Sequence, residues 1–223
     1  MARYFKPEYF KFLRDLKRHN DRTWFADNKA RYVADVETPL LQFIADFSPH
    51  LSRISRAYVA DPRRSGGSMF RIYRDTRFSA DKSPFKTWTA ARFSHEMRKK
   101  TDAVPAFYLH IEPGEAYGGG GVYHIEMPAL TRIRQHIVSS PKDWAVVHKT
   151  GVEIEGEALK RPPAGFAPDH KYIEDLKRKN IYSLSEFTEA HVTSTDFLDR
   201  YVDACERVAP LIQFLTKALG LRW

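Results

Sequence analysis

Residues Ala106 to Glu112 alternate without a break, with Phe107, Leu109 and Ile111 on one side and Tyr108, His110 and Glu112 on the other. A repeat of two is the side-chain period of a strand with one buried face. Stripes of helical period flank this middle at both ends of the chain. Pro7 suits a first helical turn, and Phe10, Leu13 and Leu16 follow it. Asp21 is an N-cap type, and Trp24, Phe25, Tyr32, Val36, Leu40, Phe43 and Phe47 continue behind it. This second helix is expected to end near residue 47 and to kink at Pro39. A long terminal helix, bent at Pro210, is predicted for Thr195 to Leu219, carrying Tyr201, Cys205, Val208, Ile212 and Leu215 on its apolar side.

Between these helices, Phe70 to Tyr73, Thr87 to Phe93, Val122 to Glu126 and Ile181 to Leu184 read as further strands. Pro128 and Pro141 start short helices, and His170 to Lys179 is a third. Gly118 to Gly121 predict a turn or a close backbone approach. Helices at both ends around a strand-rich middle give an α+β fold. The expectation is a single domain over residues 1–223, with a central, mostly antiparallel sheet and the N- and C-terminal helices packed against it.

Composition removes several classes. With 15 Phe, 11 Tyr and 4 Trp to bury, disorder is excluded. One cysteine, Cys205, rules out a disulfide framework and a multi-cysteine zinc site. There is no run of about 18 apolar residues and no apolar leader in MARYFKPEYFKFLRDL, so no membrane partner and a cytoplasmic location are expected. The glycine run lacks the Lys-Ser/Thr end of a P-loop and the spacing of a dinucleotide fingerprint, so no cofactor is expected.

The formal net charge is +8, and most of the excess is local. Residues 60–100 alone hold 11 basic and 4 acidic side chains. Within them, Phe70 to Thr87 gathers Arg71, Arg74, Arg77, Lys82 and Lys86 around Asp75 and Asp81. Arginine offers a fixed fork of donors that matches phosphate or carboxylate edges, and lysine adds a mobile point charge. These five are the candidate ligand-binding residues. Asp75 is a candidate for orienting an arginine or acting on a proton. The bland reading is an internally paired network pinning a long loop. Full pairing would then need acids from elsewhere, and Glu112, Glu115 and Glu126 are available.

This stretch carries a resemblance. Asn20-Asp21-Arg22-Thr23-Trp24-Phe25, Phe70 to Ser79, Asp81 to Thr87, Phe107 to Pro113, Gly119 to Tyr123 and Leu159 to Phe166 together resemble the uncharacterised bacterial and fungal family of domain of unknown function 2461. The likeness spans about residues 5–218. The family more often has Tyr where this chain has Phe85, and Lys-Gly where it has Ala164-Gly165. The resemblance implies kinship and no particular chemistry.

A second constellation is conditional on pairing. If Val122 to Glu126 is a strand beside Ala106 to Glu112, then His110, Glu112, His124 and Glu126 converge. Such a set suits proton transfer, with His and Glu as the candidate catalytic groups. The spacing is not a metal motif, so no metal is expected. Three functions stay open. The first is a binding protein or enzyme that takes an anionic small molecule. The second is nucleic-acid binding over a basic face, with Tyr73, Phe78 and Phe85 as stacking groups. The third is a scaffold in which the charged loop is only architecture.

Overall fold

The computed structural model describes residues 3–97 and 104–223. Helix α1 (Pro7–Arg18) buries Tyr9, Phe10, Phe12, Leu13 and Leu16. The Asp21 carboxylate accepts the Trp24 N–H at 2.8 Å and starts α2 (Arg22–Asp27). Helix α3 (Lys29–Tyr32), a π-helical turn (Val33–Glu37) and α4 (Thr38–Ile54) follow as one run. The distortion expected at Pro39 is this wider turn. Pro39 has no N–H to offer, and the Thr38 N–H bonds to the Val33 carbonyl, five residues back. Helix α4 passes residue 47 and Pro49 because Leu51 continues the buried stripe of Phe43 and Phe47.

Five strands form one antiparallel sheet in the order β1 (Tyr58–Val59), β2 (Thr89–His95), β3 (Ala106–Glu112), β4 (Glu115–Val122), β5 (Ile181–Phe187). Between β4 and β5 run α5 (Met127–Ser139), α6 (Pro141–Lys149) and α7 (Ile173–Lys177). After β5 come α8 (Glu189–Val192) and α9 (Phe197–Ala218). The α+β architecture and the terminal helices on the sheet are as expected. No helix among the described residues is long and apolar enough to cross a membrane.

Two strand expectations need correction. Phe70 to Tyr73 is not a sheet strand; only the isolated bridges Met69–Ala91 and Tyr73–Phe85 tie it to its neighbour. Nor is Val122 to Glu126 a strand. β4 is the glycine run itself, paired Glu112–Glu115, His110–Tyr117 and Leu109–Gly118 with β3, and it ends at Val122. The glycines build no turn.

What the glycines supply is room. On one sheet face, Ala91, Phe93, Phe107, Leu109 and Ile111 are buried under the helices. Phe47 meets Phe93 at 4.8 Å and Tyr201 at 4.9 Å, and Phe43 meets Phe197 at 5.5 Å. Helix α9 closes this layer directly over β4. A Cβ at Gly118 would stand 2.6 Å from the Tyr201 ring, and one at Gly120 would collide with Ile212 and the Ala106 carbonyl. Bare backbone at both positions lets a helix with large side chains sit close.

Gly118→Ala tests this contact. Removing a glycine ordinarily stabilises by about 0.4–1 kcal/mol through the unfolded chain. Overpacking against a fully buried ring costs about 1–3 kcal/mol, so the net change is destabilising. Urea unfolding should show a lower midpoint at unchanged slope, and an unchanged or raised midpoint would contradict the close approach.

Candidate functional site

The charged segment folds as a broken hairpin. Ser68 to Arg74 runs against Pro84 to Arg92 through Arg92 N–H to Ser68 O, Phe70 N–H to Ala90 O, Lys86 N–H to Ile72 O and Arg74 N–H to Pro84 O, all 2.8–2.9 Å. Ile72 and Phe85 are its buried anchors. Residues 75–83 form the tip. The hairpin is fastened to the first helices by Asn20, whose amide donates to the Phe85 carbonyl at 3.0 Å and accepts the Phe85 N–H at 3.1 Å. Phe25 stacks on Phe85 at 4.1 Å.

A cleft of about 720 Å³ lies between α2, the start of α3 and the hairpin. Arg22 and Lys29 line one wall; Arg74 and Lys82 line the other. Phe25, Tyr73 and Phe85 supply its apolar surface. Its one lining carboxylate among the described residues, Asp21, is engaged in capping α2. Arg74 pairs with Asp81 and reaches Ser79 at 3.4 Å. Lys82 donates to the Thr76 carbonyl at 3.0 Å. Arg22 and Lys29 are exposed and have no ion pair among the described residues.

Of the five basic candidates, the structure thus brings Arg74 and Lys82 into one cleft. Arg77 stands outside it, paired with Asp75 at 2.7 Å and lying 5.7 Å from the Phe78 ring, which is 96% exposed. Arg71 lines a separate hollow of about 710 Å³ with Arg63, Arg64 and Arg92. There Arg63 grips Asp61, and Arg64 meets Glu37 at 2.6 Å. Lys86 donates to the Arg71 carbonyl at 2.5 Å and lies over the Phe70 and Trp88 rings at 5.7 and 5.1 Å. Burial, and then the Arg71 charge, pull its pKa down.

Sheet register decides the second constellation. His110 stacks on Tyr117, its cross-strand neighbour, at 4.7 Å, and Trp88 lies 5.1 Å away. Its Nε2 is 3.7 Å from Glu112. Burial lowers the His110 pKa against the opposing pull of Glu112 and Glu115. His124 and Glu126 do not join them, because β4 has already ended. His124 is an exposed residue at φ 53° whose N–H donates to the Asn180 side chain, and Glu126 is the N-cap residue of α5. The structure therefore joins His110 and Glu112 to Trp88 and Lys86, not to a second His–Glu pair. Among the described residues no group of three or more His, Cys, Asp or Glu is placed to hold a metal ion. Glu112 turns to His110, Thr87 and Lys17, so among the described residues the acids that pair with the tip are its own Asp75 and Asp81.

The family model for conserved hypothetical proteins DUF2461 matches residues 8–214. The chain belongs to the DUF2461 family. No curated protein and no solved structure matches it. Two of the segments in which the sequence resembles the family, Asn20 to Phe25 and Phe70 to Thr87, meet across the cleft. Sequence reasoning missed Arg22 and Lys29 as partners of the loop. The available signal was Arg22 lying inside the first DUF2461 segment.

The tip should respond to acid in a defined window. Hydrogen bonds from Arg77 hold Asp75 down to about 2. Ser83 and then Arg74 hold Asp81 well below the usual carboxylate range. Because both folded values are depressed, the order these groups lend the tip is present above the ordinary carboxylate pKa and is lost as pH falls through the folded values. Amide exchange protection at Arg77 should persist at about pH 4 and fall towards pH 2, with Ser83, bonded to the more depressed Asp81, losing its protection only in still stronger acid; loss at either amide already near pH 5 would contradict the pairing.

Proposed function

We propose that this DUF2461 protein is a cytoplasmic binding protein for a small molecule carrying a phosphate or carboxylate group, seated in the cleft between α2 and the hairpin. One observation carries the reading. Arg22, Lys29, Arg74 and Lys82 reach one hollow from separate stretches of chain, and the one lining acid among the described residues is already engaged. Several guanidinium forks and ammonium groups converging on one hollow bind an anion more strongly than the same groups spread over the surface. Phe25, Tyr73 and Phe85 offer contact to the apolar remainder of the ligand. Asp81 acts here as the group that orients Arg74. Neither His110 nor Glu112 lines the cleft, so the proposal is of binding and assigns no reaction.

The nucleic-acid alternative is weakened by the same geometry. Outside the cleft, Arg63, Arg64 and Arg77 each already hold a carboxylate, so the basic face offered to a phosphate backbone is smaller than the count of charges suggests.

Calorimetric titration with inorganic phosphate and with citrate tests the proposal. Lys82→Ala, and separately the pair Arg22→Ala with Lys29→Ala, should weaken binding at least about tenfold, equivalent to about 1.4 kcal/mol. Arg77→Ala should leave it unchanged. Equal affinity in all variants, or no anion binding by the wild type, would overturn the cleft. Tight binding of single-stranded oligonucleotides with a steep loss in salt would favour the nucleic-acid reading instead.

A further inference from the structure

Next to the cleft, between the hairpin arm and the run from α3 into the π-helical turn, lies a smaller hollow of about 260 Å³. Phe25, Lys29 and Tyr73 line both spaces, so the two are neighbours along one groove between the hairpin and the first helices. Tyr32 and Val33 wall the smaller hollow on the helix side, and Met69 and Ile72 wall it on the hairpin side. The Glu37–Arg64 pair, at 2.6 Å, and Arg71 border it as well. Its one lining acid among the described residues is therefore engaged, as Asp21 is in the cleft.

The two compartments differ in character. The cleft gathers four cations from two walls, which suits the nearly double negative charge of a phosphate monoester at neutral pH. The smaller hollow is lined mainly by apolar side chains. Its volume falls below the roughly 300 Å³ at which pockets for whole drug-sized ligands begin. It has room for one apolar part of a ligand whose charged part lies in the cleft.

Rings set the chemistry of that part. Phe25 stacks on Phe85 at 4.1 Å, and Tyr73 lies 5.3 Å from Phe85 and 6.2 Å from Phe25. Tyr73 is thus backed by two rings yet remains 52% exposed, at the boundary of the two spaces. Aromatic rings favour offset or edge-to-face neighbours about 4.5–7 Å apart, and this cluster ends on a ring with an open side. Lys29, common to both spaces, can meet an anion or lie over a ring. An alkyl chain would fill the volume and use neither feature.

We propose that the ligand of this groove is an aryl phosphate, with its phosphate among Arg22, Lys29, Arg74 and Lys82 and its ring in the smaller hollow against Tyr73. The assignment rests on the anion reading of the cleft and adds the chemical class of what carries the anion.

Calorimetric titration with inorganic phosphate, phenyl phosphate and cyclohexyl phosphate tests it. Phenyl phosphate should bind at least about tenfold more tightly than inorganic phosphate, and cyclohexyl phosphate should fall well short of that gain. Tyr73→Ser should remove the gain and leave the affinity for inorganic phosphate unchanged, whereas Tyr73→Phe should keep both. Crystals soaked in 4-iodophenyl phosphate should show an anomalous iodine peak between Val33 and Ile72. Phenyl phosphate no tighter than inorganic phosphate, an equal gain from the cyclohexyl compound, or iodine outside the smaller hollow would overturn the aryl assignment and leave the anion cleft standing. No binding of inorganic phosphate, with Lys82→Ala indifferent towards all three compounds, would remove the anion reading and the aryl assignment with it.

Discussion

Phe85 is the point at which the two halves of the candidate site are joined. Its ring is only 2% exposed and stacked on Phe25, while its own N–H and C=O are both taken by the Asn20 side chain. A side-chain amide that serves both backbone groups of one residue does the work of a strand neighbour, at a place where no strand is present. Nearer the base of the hairpin, the Tyr9 and Thr89 hydroxyls supply one further directional tie to the helices; near the tip, apolar contact alone would remain without Asn20, and it is non-directional. The position of Arg74 and Lys82 relative to Arg22 and Lys29 depends on this one joint. So does the existence of a cleft.

Beyond the joint, the tip keeps its shape by internal pairing. Arg77 and Asp75 close one local loop, and Arg74, Asp81 and Ser83 close another. These are surface pairs of modest individual worth. Their effect is geometric. They keep two carboxylates turned to their own arginines and leave Lys82, Arg22 and Lys29 to set the sign of the hollow.

The fold was legible where side chains carry a period. Ala106 to Glu112 is a strand with those bounds, and the terminal helix lies within two residues of expectation at either end, because both repeat their apolar positions. β4 was illegible because glycine has no side chain to alternate and a low strand propensity. Its strand form is imposed by Tyr201 and Ile212 from a helix some eighty residues later in the chain. The hairpin arm Phe70 to Tyr73 has the alternation of a strand but lacks a continuous partner. In the site, local charge density pointed to Arg74 and Lys82, while Arg77 is drawn away by Asp75, Lys86 by a neighbouring carbonyl and aromatic rings, and Arg71 lines a different hollow. Arg22 and Lys29 come from distant sequence, and only the fold brings them across.

The central claim is that the hollow between α2 and the hairpin is an anion site. The most direct measurement is a selenium anomalous difference map from crystals soaked in selenate, a tetrahedral dianion of phosphate-like shape. The account predicts a peak held between Arg74 and Lys82 on one wall and Arg22 and Lys29 on the other. An empty cleft, with selenium gathered only around Arg63 and Arg71 or nowhere on the protein, would contradict it.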